Sequence, residues 1–268
     1  LTVGETLRIC APTVLESALG PVPRERCNAR LAQWSAAAMR HAEIETFVEG
    51  LEHVDSSRPH LVISNHQSTY DIFLLMHLFP GTLRMIAKKE MFSIPILGPA
   101  MAAAEFVNID RGDHQRAREA LDTARKHIES GIHVWIAPEG TRSEDGRLLP
   151  FKTGGFMLAL QTGIPILPVT VIGTNEVLPA KQVRVRPGKR AGVKFHAPID
   201  PTKYGLERRA ELMEDVRRVI DSGLPEQYRS YRYSRCRPPS VQHAGLPRGP
   251  LRRCPGRLAQ QPRREVRA

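Results

Sequence analysis

The chain reads as an α/β protein: a mixed, largely buried β-sheet flanked by helices, with an amphipathic helical region in front of it. Three observations predict this class. Short runs rich in Val, Ile and Leu alternate with segments of helical periodicity from about residue 46 to residue 222, the pattern of strands joined by helical crossovers. Runs such as His133–Ala137 lack the polar alternation of a strand with one wet face, so the sheet is expected to be covered on both sides. Near the start, Leu31, Trp34, Ala38 and Ala42 recur at helical spacing while Arg24, Arg26, Arg30 and Arg40 decorate the same region.

Residues 1–45 are accordingly expected to be helical and amphipathic, a candidate membrane-contact region. Strands are predicted at Thr46–Glu49 and His60–Ser64, followed by a helix over Tyr70–Phe79. Leu83–Ala87 and Glu105–Ile109 read as strands, and Asp113–Ser130 as a helix with Ala117, Leu121, Ala124 and Ile128 on one face. His133–Ala137 is a strand ending at Pro138, Gly154–Gln161 a helix, and Ile166–Ile172 and Gly192–His196 strands; a helix over Leu206–Ser222 closes the domain. The spacing gives one main domain, 46–228. Residues 229–268 are rich in Arg, Pro and Gly, bury too little apolar surface to offset their ordering entropy, and are expected to be disordered.

The formal net charge of +11 points at first to nucleic acid, but its location removes that inference. Residues 229–268 hold eleven arginines and one acid, Glu265, whereas the other 228 residues carry 28 basic and 27 acidic groups. The basicity belongs to the tail, and the folded part is nearly neutral. Cys10, Cys27, Cys236 and Cys254 are far apart and form no C-x-x-C pair, which argues against a structural zinc site and a disulfide scaffold and for a reducing, cytoplasmic setting. No metal ligand set is expected. No segment reaches the ~20 apolar residues of a membrane span, and no signal peptide is recognisable. The chain opens on Leu1 instead of Met, which leaves room for a preceding anchor.

Two segments carry the chemistry. In Asn65-His66-Gln67-Ser68-Thr69-Tyr70-Asp71 a carboxylate follows a histidine by five residues, just after a strand. A carboxylate on Nδ1–H would fix the imidazole tautomer and leave Nε2 as a general base for a hydroxyl proton. The same residues also match a helix capping box, in which Asp71 serves only backbone N–H groups. In Pro138-Glu139-Gly140-Thr141-Arg142-Ser143 a glycine allows close backbone approach to an anion and an arginine can grip phosphate. Glu139 could hold a substrate hydroxyl or orient Arg142, and the stretch also reads as an ordinary polar turn. Arg111, past a strand end, is either a second phosphate ligand or a solvated partner of Asp110. Ile164-Pro165-Ile166-Leu167-Pro168-Val169 is a core strand or an acyl-chain wall.

These motifs, in this order, resemble the glycerolipid acyltransferase family, most closely its 1-acyl-sn-glycerol-3-phosphate acyltransferase branch. Phe151-Lys152-Thr153-Gly154 is similar too, and the resemblance spans roughly residues 42–224. Ala137 departs from it, standing where the family usually has phenylalanine before Pro-Glu-Gly. The resemblance implies acyl transfer from an acyl thioester, acyl-CoA or acyl-carrier protein, to the free hydroxyl of a lysophospholipid, with lysophosphatidic acid giving phosphatidic acid. It assigns His66 as general base and Asp71 as its orienter, and Arg111, Glu139, Gly140, Thr141 and Arg142 as ligands of the glycerol phosphate. No cofactor is implied beyond the thioester co-substrate. No protein nucleophile is needed, in keeping with the absence of a G-x-S-x-G elbow.

A lipid acceptor implies a membrane partner, at the cytoplasmic face, held peripherally or by an N-terminal anchor. The first 45 residues offer one contact; Lys88 and Lys89 beside Met91-Phe92 and Ile94-Pro95-Ile96-Leu97 offer another, and both also read as ordinary surface and core. An acyltransferase for another lysophospholipid or a lyso-ornithine lipid keeps the same catalytic pair. A non-catalytic nucleic-acid binder using the Arg-rich tail is the rival from another class, weakened because Tyr231 and Tyr233 are the tail's only aromatic residues.

Overall fold

A strand that buries both faces needs apolar residues at every position, and Leu61–Ser64 has almost nothing else. The computed structural model describes residues 3–230 except Ser56 and Arg111, and it sets this strand in the middle of a seven-stranded sheet. In chain order the elements are α1 (Val3–Ser17), α2 (Arg24–His41), β1 (Glu45–Glu49), β2 (Leu61–Ser64), α3 (Tyr70–Leu78), β3 (Leu83–Lys88), α4 (Lys89–Phe92) and α5 (Leu97–Ala103). There follow β4 (Val107–Ile109), α6 (His114–Glu129), β5 (His133–Ile136), α7 (Gly154–Thr162), β6 (Ile166–Ile172), α8 (Thr174–Val177), β7 (Arg190–Phe195) and α9 (Arg209–Gly223). The strand order is β1-β7-β6-β2-β5-β3-β4. Every pairing is parallel except β6 with β7. The sheet is therefore mixed, as expected, and successive parallel strands are linked by helical crossovers, α3 from β2 to β3, α6 from β4 to β5 and α7 from β5 to β6, because parallel strands cannot be linked by a tight turn.

Successive side chains of β2 feed opposite layers. Val62 joins Leu74, Leu75, Trp135, Leu167 and Val169 beneath α2 and α3. Leu61 and Ile63 join Ala124 and Ile128 of α6, Phe156 of α7, and Leu212, Val216 and Ile220 of α9. The segment Ile166–Val169 is fully buried in β6, so the core-strand reading of that motif holds and the acyl-wall reading does not. Asp113 caps α6, accepting from the amides of Gln115 and Arg116.

Several expectations are corrected. The helical region expected over the first 45 residues consists of two helices, separated around Gly20-Pro21-Val22-Pro23, where two prolines cannot donate to a helix. Three of its arginines are engaged within the protein: Arg24 makes a bidentate pair with Glu105, and Arg26 and Arg30 both bond Glu16. β4 starts at Val107 and not at Glu105, whose φ of 61° cannot continue a strand. α4, α5 and α8 were not predicted; they are too short to show a helical period. Among the described residues no helix is long and apolar enough to cross a membrane, and no His, Cys, Asp and Glu cluster could hold a metal ion. Cys10 and Cys27 are free and buried, while Cys236, Cys254 and the expected disorder from residue 231 onward lie outside the described residues. Arg229 and Ser230, assigned to the tail, are bonded to Leu224 and Asp221 of the preceding helical segment.

Active-site loops in such sheets follow the carboxyl ends of strands, and here the end of β2 is finished by a side chain. Asn65 Nδ2 donates to the Val171 carbonyl at 2.9 Å and its Oδ1 accepts from the Val171 amide at 2.7 Å, continuing the pairing to β6 after the β2 backbone turns away. Both residues are buried. Asn65→Ala should leave two buried backbone groups unpaired, at about 2–4 kcal/mol, and lower the melting temperature by roughly 5–10 °C. Thermal denaturation followed by circular dichroism checks this, and an unchanged midpoint would contradict it.

Candidate active site

His66 stands on the loop between β2 and α3. Its Nδ1 lies 2.7 Å from Asp71 Oδ2; a carboxylate only accepts, so Nδ1 carries the proton and Nε2 keeps its lone pair. The same Oδ2 accepts from the amides of Gln67 at 2.7 Å and Ser68 at 3.0 Å, and Oδ1 accepts from the Thr174 hydroxyl. Asp71 is fully buried and its charge is met by these four donors. Ser68 Oγ in turn accepts from the Tyr70 amide. The two readings of this segment are thus both present in one carboxylate, which satisfies the backbone amides leading into α3 and holds the imidazole.

The second loop is stapled to the first. Gly140 turns the chain with φ of 73°, a conformation costly for residues with a Cβ. The Ser143 amide donates to the His66 carbonyl at 2.8 Å. Glu139, expected among the substrate-binding groups, turns both oxygens away from the cavity: Oε1 accepts from the His66 amide at 2.8 Å and Oε2 from the Leu149 amide at 2.9 Å. Only 3% of the residue is exposed. Burial pushes its carboxyl up to about 7, against the opposing pull of the two backbone donors.

A cavity of about 260 Å³ opens between the loops, with His66, Gly140, Thr141 and Arg142 in its wall. Arg142 Nη1 donates to Thr69 Oγ1 at 2.8 Å, and among the described residues no carboxylate pairs with this guanidinium. Lys88, at the end of β3, lines the same cavity, so two cations face the space beside His66. Trp135 supplies an edge-on wall, its ring centroid 6.3 Å from that of His66. A second cavity of about 200 Å³ shares Thr69, Ile72, Met85 and Met91 with the first and is otherwise mostly apolar, running beneath α1 and α2. The space next to the imidazole is polar and cationic on one side and greasy on the other.

Of the residues singled out from the sequence, His66, Asp71, Gly140, Thr141 and Arg142 come together, Glu139 is behind them, and Arg111 lies outside the described residues. Its neighbour Asp110 bonds Lys89 at 2.8 Å and approaches Arg116 at 3.6 Å, so Lys89 is paired while Lys88 faces the cavity. Sequence reasoning missed Thr69, Lys88, Trp135 and Thr174 as site residues. Thr69 and Trp135 sit within or beside segments already singled out, a usable signal. Thr174 is 103 residues from Asp71, and nothing local announces it.

A family profile described as acyltransferase matches residues 45–172. A chloroplastic 1-acyl-sn-glycerol-3-phosphate acyltransferase of Brassica napus is 36% identical over 179 residues, covering 65% of this chain and 52% of that protein. The 1-acyl-sn-glycerol-3-phosphate acyltransferase of Saccharomyces cerevisiae is 35% identical over 205 residues, covering 73% of this chain and 67% of its own length. The chain thus spans about half the length of some of the relatives it matches. The crystal structure of the 1-acyl-sn-glycerophosphate acyltransferase of Thermotoga maritima superposes with a TM-score of 0.67 at 30% identity, covering 81% of this chain and 90% of that one. Shared sequence, shared fold and the coverage of the Thermotoga structure agree: this chain belongs to the acyltransferase family that includes the 1-acyl-sn-glycerol-3-phosphate acyltransferases.

Proposed function

We propose that this protein transfers an acyl group from an acyl thioester to the free hydroxyl of lysophosphatidic acid, giving phosphatidic acid. The observation that carries the reading is a histidine whose Nδ1–H is held by a buried carboxylate and whose ring borders a cavity bearing Arg142 and Lys88. Nε2 takes the proton of the acceptor hydroxyl as its oxygen attacks the thioester carbonyl. The carbon–sulfur bond then breaks, and the departing thiolate takes the proton back from the imidazolium. Arg142 and Lys88 hold the acceptor phosphate, Arg142 with a planar fork suited to two parallel bonds and Lys88 as a point charge. The sequence resemblance assigns Arg111 to the same phosphate. These cations favour a phosphate-bearing acceptor over a lyso-ornithine lipid. The apolar cavity beneath α1 and α2 receives an acyl chain.

Acyl-CoA or acyl-carrier protein serves as donor. The acceptor is met at a membrane surface, with α1, α2 and the Met91–Leu97 segment as the contact, on the cytoplasmic side.

His66→Ala should fold and lower turnover by about 10²-fold or more, measured by acyl transfer to lysophosphatidic acid. A loss of only a few-fold in a folded variant would remove His66 from the base role. Arg142→Ala should raise the Michaelis constant for lysophosphatidic acid far more than for a neutral monoacylglycerol, and equal effects on both would refute phosphate recognition. Glu139 gives a pH prediction. With its carboxyl at about 7 in the fold against an ordinary 4.5, the folded protein keeps a proton that the unfolded chain has already lost. Its stabilising contribution is full below about pH 4.5 and is lost as pH rises to about 7, up to roughly 3 kcal/mol. The ionised form, which accepts both amides, prevails only above that window, so activity should rise as this stability falls. Denaturant unfolding across pH should show wild type losing stability relative to Glu139→Gln over this range, and a constant difference would contradict it.

A further inference from the structure

The C-terminal helix α9 lies beyond the family-matched segment 45–172, yet it reaches the loop that carries Arg142. Its apolar stripe of Leu212, Val216 and Ile220 is fully buried and fixes the helix against the sheet. The neighbouring Arg217 is half-buried. Its Nη1 donates to the Leu149 carbonyl at 2.6 Å and its Nη2 to the Leu148 carbonyl at 2.9 Å, and its guanidinium lies 5.3 Å from the centroid of the Phe151 ring. Leu149 is also the residue whose amide donates to Glu139 Oε2, and the other oxygen of Glu139 receives the His66 amide.

We propose that Arg217 is a positioning residue for the base: it clamps the Leu148–Leu149 carbonyls, the Leu149 amide anchors Glu139, and Glu139 sets the His66 backbone. The two Arg217 links come from a charged donor and are stronger than neutral ones, and the two Glu139 links gain the same strength when its carboxyl is ionised. The chain of contacts is continuous, so a loosened Leu148–Leu149 segment is passed to the imidazole as a displacement of its own backbone. A shift of about 1 Å at a reacting group costs on the order of 10²-fold in rate. Tyr228 braces the same loop farther along, its ring pressed where a Cβ on Gly146 would stand and its hydroxyl accepting from Asn175 Nδ2 at 3.2 Å. The strut rests on the reading of His66 as the base, but its physical links are testable without it.

The test is a double-mutant cycle on the full chain with Arg217→Met, Arg217→Lys and Glu139→Gln. Arg217→Met keeps the apolar stem and removes the donors; it should lower kcat by about ten- to a hundred-fold and change either Michaelis constant by no more than about two-fold. Arg217→Lys, a single-point donor, should recover part of the loss. In the Glu139→Gln background the Arg217→Met loss should shrink to about two-fold or less, since the link it acts through is already broken. Hydrogen exchange should speed up in Arg217→Met at peptides covering both 146–152 and 64–71, and stay unchanged in Arg208→Ala, at the N-cap of the same helix. Losses that multiply undiminished in the double variant, a Michaelis constant that moves with kcat, or faster exchange confined to 146–152 would each overturn the proposal. If Arg217→Met does not fold, the same cycle with Arg217→Lys decides. Faster exchange at both segments together with an active His66→Ala would instead fault the base assignment and leave the strut standing.

Discussion

Two buried carboxylates grip His66 from opposite ends, and the arrangement of the site depends on them. Asp71 takes the ring Nδ1–H and Glu139 takes the backbone N–H. Neither could stay in the interior uncompensated, because an unpaired buried carboxylate costs several kcal/mol. Asp71 is met by two amides, a hydroxyl and the imidazole; Glu139 is met by two amides alone and is correspondingly less comfortable, which is why burial raises it toward neutrality. The difference divides their tasks. Asp71 is the orienter of the ring, and Glu139 is a cross-brace between two loops.

The sheet makes this grip possible. β2 and β5 are parallel neighbours, so their carboxyl ends deliver the His66 loop and the Glu139 loop side by side. β6 lies on the other flank of β2 and leads into Gly173 and Thr174, which brings the third contributor to Asp71. Asn65 then ties the point where β2 ends to β6 through both the Nδ2 and the Oδ1 of its side-chain amide. The motif Asn-His-(four residues)-Asp is in this sense a structural sentence: one residue anchors the strand end, the next presents the ring, and the last holds both the ring and the backbone leading into α3.

Much of this was legible because it is local or periodic. The apolar runs marked β2, β5 and β6 within a residue or two, and the spacing of His66 and Asp71 carried their contact. What was not legible depends on distant partners. Glu139 stands in a motif that reads as a ligand set, and nothing in the sequence says that its oxygens face inward to the amides of residues 66 and 149. Lys88 and Lys89 are indistinguishable in sequence, yet Asp110 claims one and the cavity receives the other. Thr174 and Arg217 enter through tertiary packing alone. The two-helix start was obscured because a proline-broken segment keeps its helical period on either side of the break.

The central claim is that Asp71 sets the tautomer of His66 and so leaves Nε2 as the acceptor. Nitrogen-15 NMR of histidine-labelled protein, at a pH where the imidazole is neutral, reads that tautomer directly. The account predicts His66 with a protonated Nδ1 and an unprotonated Nε2, and a shift toward the other tautomer in Asp71→Asn. An Nε2-protonated His66 in the wild-type protein, or a tautomer indifferent to Asp71→Asn, would contradict it.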